Sequence, residues 1–272
     1  MLLGARGGDA KPLTGSDRNV VYDNDFSYAS GTGIQAGASE DNVLVRNRLD
    51  GCRHGIQADH SRRTLIAGNT MAGCLNDGIS IECGQGNRIV HNDIRGGTRG
   101  VHLGLRALRP AARAALEKAG DISSSGNVLL GNDILSDGIA VSLVGDRGVV
   151  VRWNQLFGRN AVFQFGPETT PGPIEHNLFR GPRSTSRPAP PLIRGASFPL
   201  SPTNQRRGRL TAPEGMDLES LDEVLRLVRP APRLPRRPEA PGRGPKRLPK
   251  DAPKGRDQIR IGPWGPLEPG DD

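Results

Sequence analysis

Aromatic side chains make up only 4% of this 272-residue chain, and cysteine contributes three residues. The first scarcity argues against nucleic acid bound by base stacking, and the second excludes a disulfide framework. No stretch reaches the 18 or so consecutive apolar residues of a membrane-spanning helix, and the opening MLLGARGGDAKP lacks the apolar run of a signal peptide. Proline is nearly missing from the first 180 residues: five of the 23 lie there, and the other 18 fall between Pro182 and Pro269. A proline-poor body is therefore followed by a proline-rich tail. Residues 231–260 of that tail hold ten Lys or Arg against three Asp or Glu, a balance of +7 beside a whole-chain formal charge of +8.

What the body has is asparagine at a fixed interval. Asn24, Asn47, Asn69, Asn92, Asn132, Asn154 and Asn177 are spaced by 22 or 23 residues, apart from one step of 40. Two residues after them stand Phe26, Leu49, Met71, Ile94, Ile134, Leu156 and Phe179, and three before them Val21, Leu44, Ile66, Ile89, Leu129, Val151 and Ile174. A third apolar column, Ile34, Ile56, Ile79, Val101, Val141 and Phe163, alternates with polar neighbours at the period of a strand. A repeat of this length with several short strands and no helix predicts a β-solenoid, whose coils bury their apolar faces only by stacking. The asparagines are expected at a bend, in left-handed geometry and bonded along the axis at about 4.8 Å. A second ladder, Asn19, Asn42, Asn87 and Asn127 with Thr64 in register, marks another corner.

These columns resemble the right-handed parallel β-helix repeat proteins of the pectin-lyase-like superfamily, in segments such as GIQADHSRRTLIAGN and DGISIECGQGNRIVHN most closely the uncharacterised bacterial exported type. The resemblance implies an all-β fold of about seven coils over residues 18–180, and an extracytoplasmic location although no signal peptide is visible. That superfamily includes polysaccharide lyases, mannuronan epimerases and copper-binding proteins of nitrous oxide reductase maturation, so it implies polysaccharide or glycan as partner and a lyase, hydrolase or epimerase type of activity. Particular motifs are missing. Ala58-Asp59-His60-Ser61 stands where the epimerases carry an Asp-Pro-His-Asp type motif, the acidic calcium ligands of pectate lyases have no counterpart, and the histidine-rich and sulfur-rich clusters favoured by copper are not evident.

Outward positions follow from the alternation: Gln35, Gln57, Ser80, His102, Ser142 and Gln164, then Asp59 and Glu82 two residues further on. Asp59 and Glu82 on adjacent coils, with His102 one coil on, form the candidate catalytic group: paired carboxylates split acid and base roles, and histidine exchanges a proton near neutral pH. Gln35, Gln57, Ser80, His54, His60 and Asp77 form the candidate substrate-binding patch. No metal site and no cofactor is expected, since Cys52 and Cys74 share a column but Cys83 and His91 lie outside it. The two aligned cysteines fit either a disulfide or stacked free thiols filling a corner, and the second is the simpler account.

The 40-residue step places an insertion at 105–122, rich in helix formers. Residues 181–216 read as a linker. The segment 217–229, DLESLDEVLRLVR, carries an apolar helical face suited to capping the solenoid, and 230–272 reads as a disordered basic tail or the start of a truncated further domain. The chain is expected to be a monomer. The alternative to glycan binding is a non-catalytic scaffold whose basic tail holds anionic surfaces or nucleic acid.

Overall fold

The computed structural model describes residues 2–3, 15–105, 123–180, 192–195, 198, 200–205, 261–262 and 265–266. The expected helical insertion, from residue 106 on, the capping segment 217–229 and the basic segment 231–260 lie outside the described residues. The chain divides into two compact units, Met1–Leu227 and Val228–Asp272. In the second, the described residues form one antiparallel pairing, Ile261–Gly262 with Gly265–Pro266.

The first unit is a right-handed parallel β-helix. Sheet A stacks Leu2–Leu3, Thr32–Ala36, His54–Gln57, Asp77–Glu82, Arg99–Gly104, Ile139–Val144, Ala161–Phe165 and Ile193–Gly195. Sheet B stacks seven strands from Val20–Tyr22 to Ile174–Glu175, which makes six steps of the repeat, and sheet C five from Thr70–Ala72 to Leu178–Phe179. All pairings in these three sheets are parallel and in register: Ile34, Ile56, Ile79, Val101, Val141 and Phe163 are successive partners, as are Leu44, Ile66, Ile89, Leu129 and Val151. These side chains and the sheet C column of Leu49, Met71, Ile94, Ile134, Leu156 and Phe179 form one core. Each buried aliphatic side chain in it contributes about 1.5–3 kcal/mol relative to exposure.

The asparagine ladder is continuous. Nδ2 of each member donates to Oδ1 of the next, from Asn24–Asn47 at 3.2 Å through Asn92–Asn132 at 3.0 Å to Asn154–Asn177 at 3.0 Å. The backbone N–H donates to the same oxygen, as Asn69 does to Asn92 at 3.0 Å. From Asn47 onward Nδ2 also reaches a carbonyl on the preceding coil, as Asn92 does at Ile66. The ladder runs past residue 180 to Asn204, which accepts from Asn177 Nδ2 at 3.0 Å, and Ile193–Gly195 adds a strand to sheet A.

One expectation is corrected. The left-handed residue is the one before each asparagine: Asp23, Arg46, Gly68, His91, Gly131, Trp153 and His176 all have φ between 53° and 65°. The bend is made there, and the asparagine behind it turns its amide inward to bond along the axis. The same offset holds for the second ladder, where Arg18, Asp41, Arg63, Gly86 and Gly126 are left-handed. Thr64 stands in register as expected, its N–H donating to Asn87 Oδ1 at 3.0 Å.

Candidate functional site

The outer face of sheet A carries the predicted polar row. Gln35, Gln57, Ser80, His102, Ser142 and Gln164 are paired partner to partner, with Arg194 after Gln164. Its ends, Gln35, Gln57 and Gln164, are half-buried, whereas Ser80, His102 and Ser142 in the middle are buried. The row is hydrogen-bonded in two stretches, at Gln57 and from His102 to Gln164. Thr32 Oγ1 donates to Gln57 Oε1 at 3.3 Å, and Gln57 Nε2 donates to Asp59 Oδ2 at 2.7 Å. His102 Nδ1 lies 3.2 Å from Ser142 Oγ, and Ser142 Oγ lies 3.5 Å from Gln164 Oε1.

Asp59 and Glu82 do meet on adjacent coils. The contact differs from a shared acid–base pair, because Asp59 Oδ1 accepts the backbone N–H of Glu82 at 3.0 Å while its Oδ2 holds Gln57. Both oxygens of Asp59 therefore serve as anchors within the sheet. His60 occupies the left-handed exit of this strand, with φ 56°, and its N–H donates to the Glu82 carbonyl at 2.7 Å.

A second outward row was only half legible. Thr32 and His54 are partners, as are Asp77 and Arg99, and His54 meets Asp77 through its ring; all four stand two residues before the buried Ile and Val column. Strict alternation would turn them inward. The residue between the rows is glycine on these coils, and its α-carbon packs against the sheet C ladder: a Cβ on Gly78 would come within 2.4 Å of Ile94 Cγ2. The strand bends at the glycine, so the residue before it faces out. Thr32 demonstrates this by reaching Gln57 on the outer face.

Asp77 is the centre of this row. Its carboxylate is 1% exposed, and the Arg99 fork grips it with Nε at 2.6 Å from Oδ1 and the terminal nitrogen at 2.8 Å from Oδ2. His54 Nδ1 approaches Oδ2 at 3.2 Å. Burial alone would raise the Asp77 pKa, but His54 and Arg99 outweigh it and hold it below the usual carboxylate value. Arg99 escaped the sequence reading; the signal was its place in the His54–Asp77 column. His102 moves the other way. Burial and then Arg99 push its pKa down to about 4, so the ring is neutral at neutral pH. A proton exchange near pH 7, the role foreseen for it, does not match that value.

These features define the class, a parallel β-helix repeat protein with an ordered polar row on the outer face of sheet A. The family model described as periplasmic copper-binding protein (NosD) matches residues 12–160, and the chain belongs to that family. No curated protein matches it. Among solved structures it is similar to an alginate lyase from Paenibacillus sp. str. FPU-7, at 12% identity and a TM-score of 0.37, covering 68% of this chain and 79% of that one.

The donor set can be tested against copper. All five histidines and all three cysteines fall among the described residues, yet among these no three His, Cys, Asp or Glu side chains converge. Both ring nitrogens of His54 face partners, Asp77 and Asn76. Cys52, Cys74 and Cys83 are buried and in no disulfide, and burial followed by the neighbouring Cys52 pushes Cys74 up to about 11, away from the thiolate that copper binds. These residues do not fit a copper centre.

Proposed function

We propose that this protein binds a polysaccharide on the outer face of sheet A, without turning it over. The observation that carries the reading is the pair of polar rows on one sheet face, Thr32–His54–Asp77–Arg99 and Gln35–Gln57–Ser80, repeated at about 4.8 Å per coil and anchored by the Thr32–Gln57, Gln57–Asp59 and Asp77–Arg99 hydrogen bonds. Side chains already held by their neighbours lose little freedom when a sugar hydroxyl binds, which favours affinity. The half-buried members Thr32, Gln35, His54, Gln57, Asp59, Glu82 and Arg99 supply the accessible donors and acceptors, and the buried His102–Ser142 section stiffens the sheet beside them.

Lyase, hydrolase or epimerase chemistry requires groups that exchange protons with the substrate. Asp59 is committed through both oxygens, and His102 is neutral and 6% exposed. Recognition is therefore the stronger reading for Asp59 and Glu82, and support of the sheet beside them for His102. The family's description as periplasmic supports an extracytoplasmic location.

The test is a glycan-array assay on the full chain beside Gln57→Ala and an Asp59→Ala/Glu82→Ala variant, with product analysis on every bound polysaccharide. Each lost hydrogen bond should weaken binding roughly three- to tenfold. Binding that survives both variants would move the site off this face, and product formation would make the protein an enzyme.

A further inference from the structure

Resting on that reading, we propose that Tyr28 is the stacking platform of the glycan site, presenting its ring to the apolar face of a sugar at the edge of the polar rows. Tyr28 is 78% exposed, so its ring adds almost nothing to the core. Its backbone is left-handed, with φ 63°, a conformation that bulky residues rarely adopt. The same turn on the next three coils is made by Gly51, Gly73 and Gly96, all with positive φ and all donating their N–H to the following coil in the same way as Tyr28. Of these four coils only the first places a side chain there.

That side chain has a seat. A Cβ on Gly51 would come within 2.9 Å of Tyr28 Cδ1 and 3.1 Å of Cε1, so one edge of the ring rests on the glycine backbone and a larger residue at 51 would displace it. An exposed ring, a strained backbone and a glycine that makes room for the ring form a costly combination that the fold does not use for packing. Left-handed backbone is shared with other turn residues such as Arg46 and Trp153, so what sets Tyr28 apart is its exposed ring.

Its place indicates the ligand. Four residues after Tyr28 comes Thr32, and three after Gly51 comes His54, the first two members of the outer row. Leu75, 71% exposed, stands two residues before Asp77 in the same row. Polar rows edged by an apolar rim match a pyranose ring, which offers hydroxyls at its edge and C–H bonds on its face. Tyr28 and Leu75 lie two coils apart, each a few residues before a member of the outer row.

The experiment measures binding of hexamers of β-1,4-linked glucose and of galacturonate to the full chain by calorimetry, with Tm for every variant. Tyr28→Phe should bind within about twofold of the parent. Tyr28→Asn removes the ring and relieves the backbone, because asparagine tolerates the left-handed region; it should lose roughly tenfold in affinity while its Tm stays equal or rises. A gain in stability beside a loss in binding is not produced by a merely structural residue. A lower Tm for Tyr28→Asn would make Tyr28 structural and overturn the proposal. Parental affinity in Tyr28→Asn would overturn it too while leaving the glycan reading intact, and a parent that binds neither probe would remove both.

Discussion

Replacing Asp146 by asparagine should stabilise this protein at neutral pH. The second ladder ends at Asn127, because the next position along it is Val149, a buried apolar residue. Asn127 Nδ2 turns instead to Asp146 Oδ2 at 3.2 Å, and Ser124 Oγ donates to the same oxygen at 2.6 Å. Oδ1 has no hydrogen bond of full geometry. Asp146 is 0% exposed, and burial pushes its pKa from 3.8 to about 6 against the pull of Ser124 and Asn127. A carboxyl with a raised folded pKa contributes stability that is fully present below about pH 4 and is lost as pH rises through 6. A shift from 3.8 to about 6, at about 1.4 kcal/mol per unit, makes that loss about 3 kcal/mol at pH 7.5. Asp146→Asn keeps an oxygen for both donors and never ionises. Its advantage over the parent should be near zero at pH 4 and up to about 3 kcal/mol at pH 7.5, or some 6–12 °C in Tm. Thermal melts of both proteins at pH 4, 5, 6 and 7.5 measure it. An advantage that does not change with pH, or a less stable variant at pH 7.5, would refute the reasoning.

Asn92→Ala removes the acceptor of the Asn69 N–H and two donations of its own, to Asn132 and to the Ile66 carbonyl; buried groups left unpaired should lower stability by about 3 kcal/mol or more in denaturant unfolding. Gly78→Ala places a methyl within 2.4 Å of Ile94 Cγ2 and 2.8 Å of the Gly100 carbonyl, and should cost about 1–3 kcal/mol in the same assay. The ring of His102, depressed to about 4, should show neutral-form nitrogen shifts in NMR spectra at pH 5.5, where an ordinary histidine is mostly protonated.

The stacking was legible because it repeats. A side chain that must fit against its copy on the next coil is written once per coil, so Leu44, Ile66 and Ile89 mark sheet B in the sequence itself. The outer face was legible only where alternation is strict. Gln57 and Ser80 obey it; Arg99 does not, because Gly100 bends the strand between Arg99 and the inward Val101. The amide contacts of Asn92 followed from its column, but the left-handed residue one place earlier did not. That column reads Asp23, Arg46, Gly68, His91, Gly131, Trp153 and His176, and shares no side-chain chemistry from which a backbone angle can be inferred. The commitment of Asp59 to Gln57 and to the Glu82 amide is likewise a matter of rotamers, which a repeat pattern does not encode.

Asp146 and His102 impose opposite pH dependences on one fold. His102 has a folded pKa below its ordinary 6.5, so protonation favours the unfolded chain and its contribution is lost as pH falls from about 6.5 to 4. Asp146 supplies stability over nearly the same interval as pH falls from about 6 to 4. The two shifts are of similar size, so the parent's stability should vary little between pH 4 and 6.5 on their account. The balance breaks when either group is neutralised. Asp146→Asn, more stable at pH 7.5, should lose stability on acidification where the parent does not, and this slope should vanish when His102 is also replaced by glutamine. A slope that persists in the double variant would assign it to a different group and leave His102 without the buried neutral state its surroundings impose.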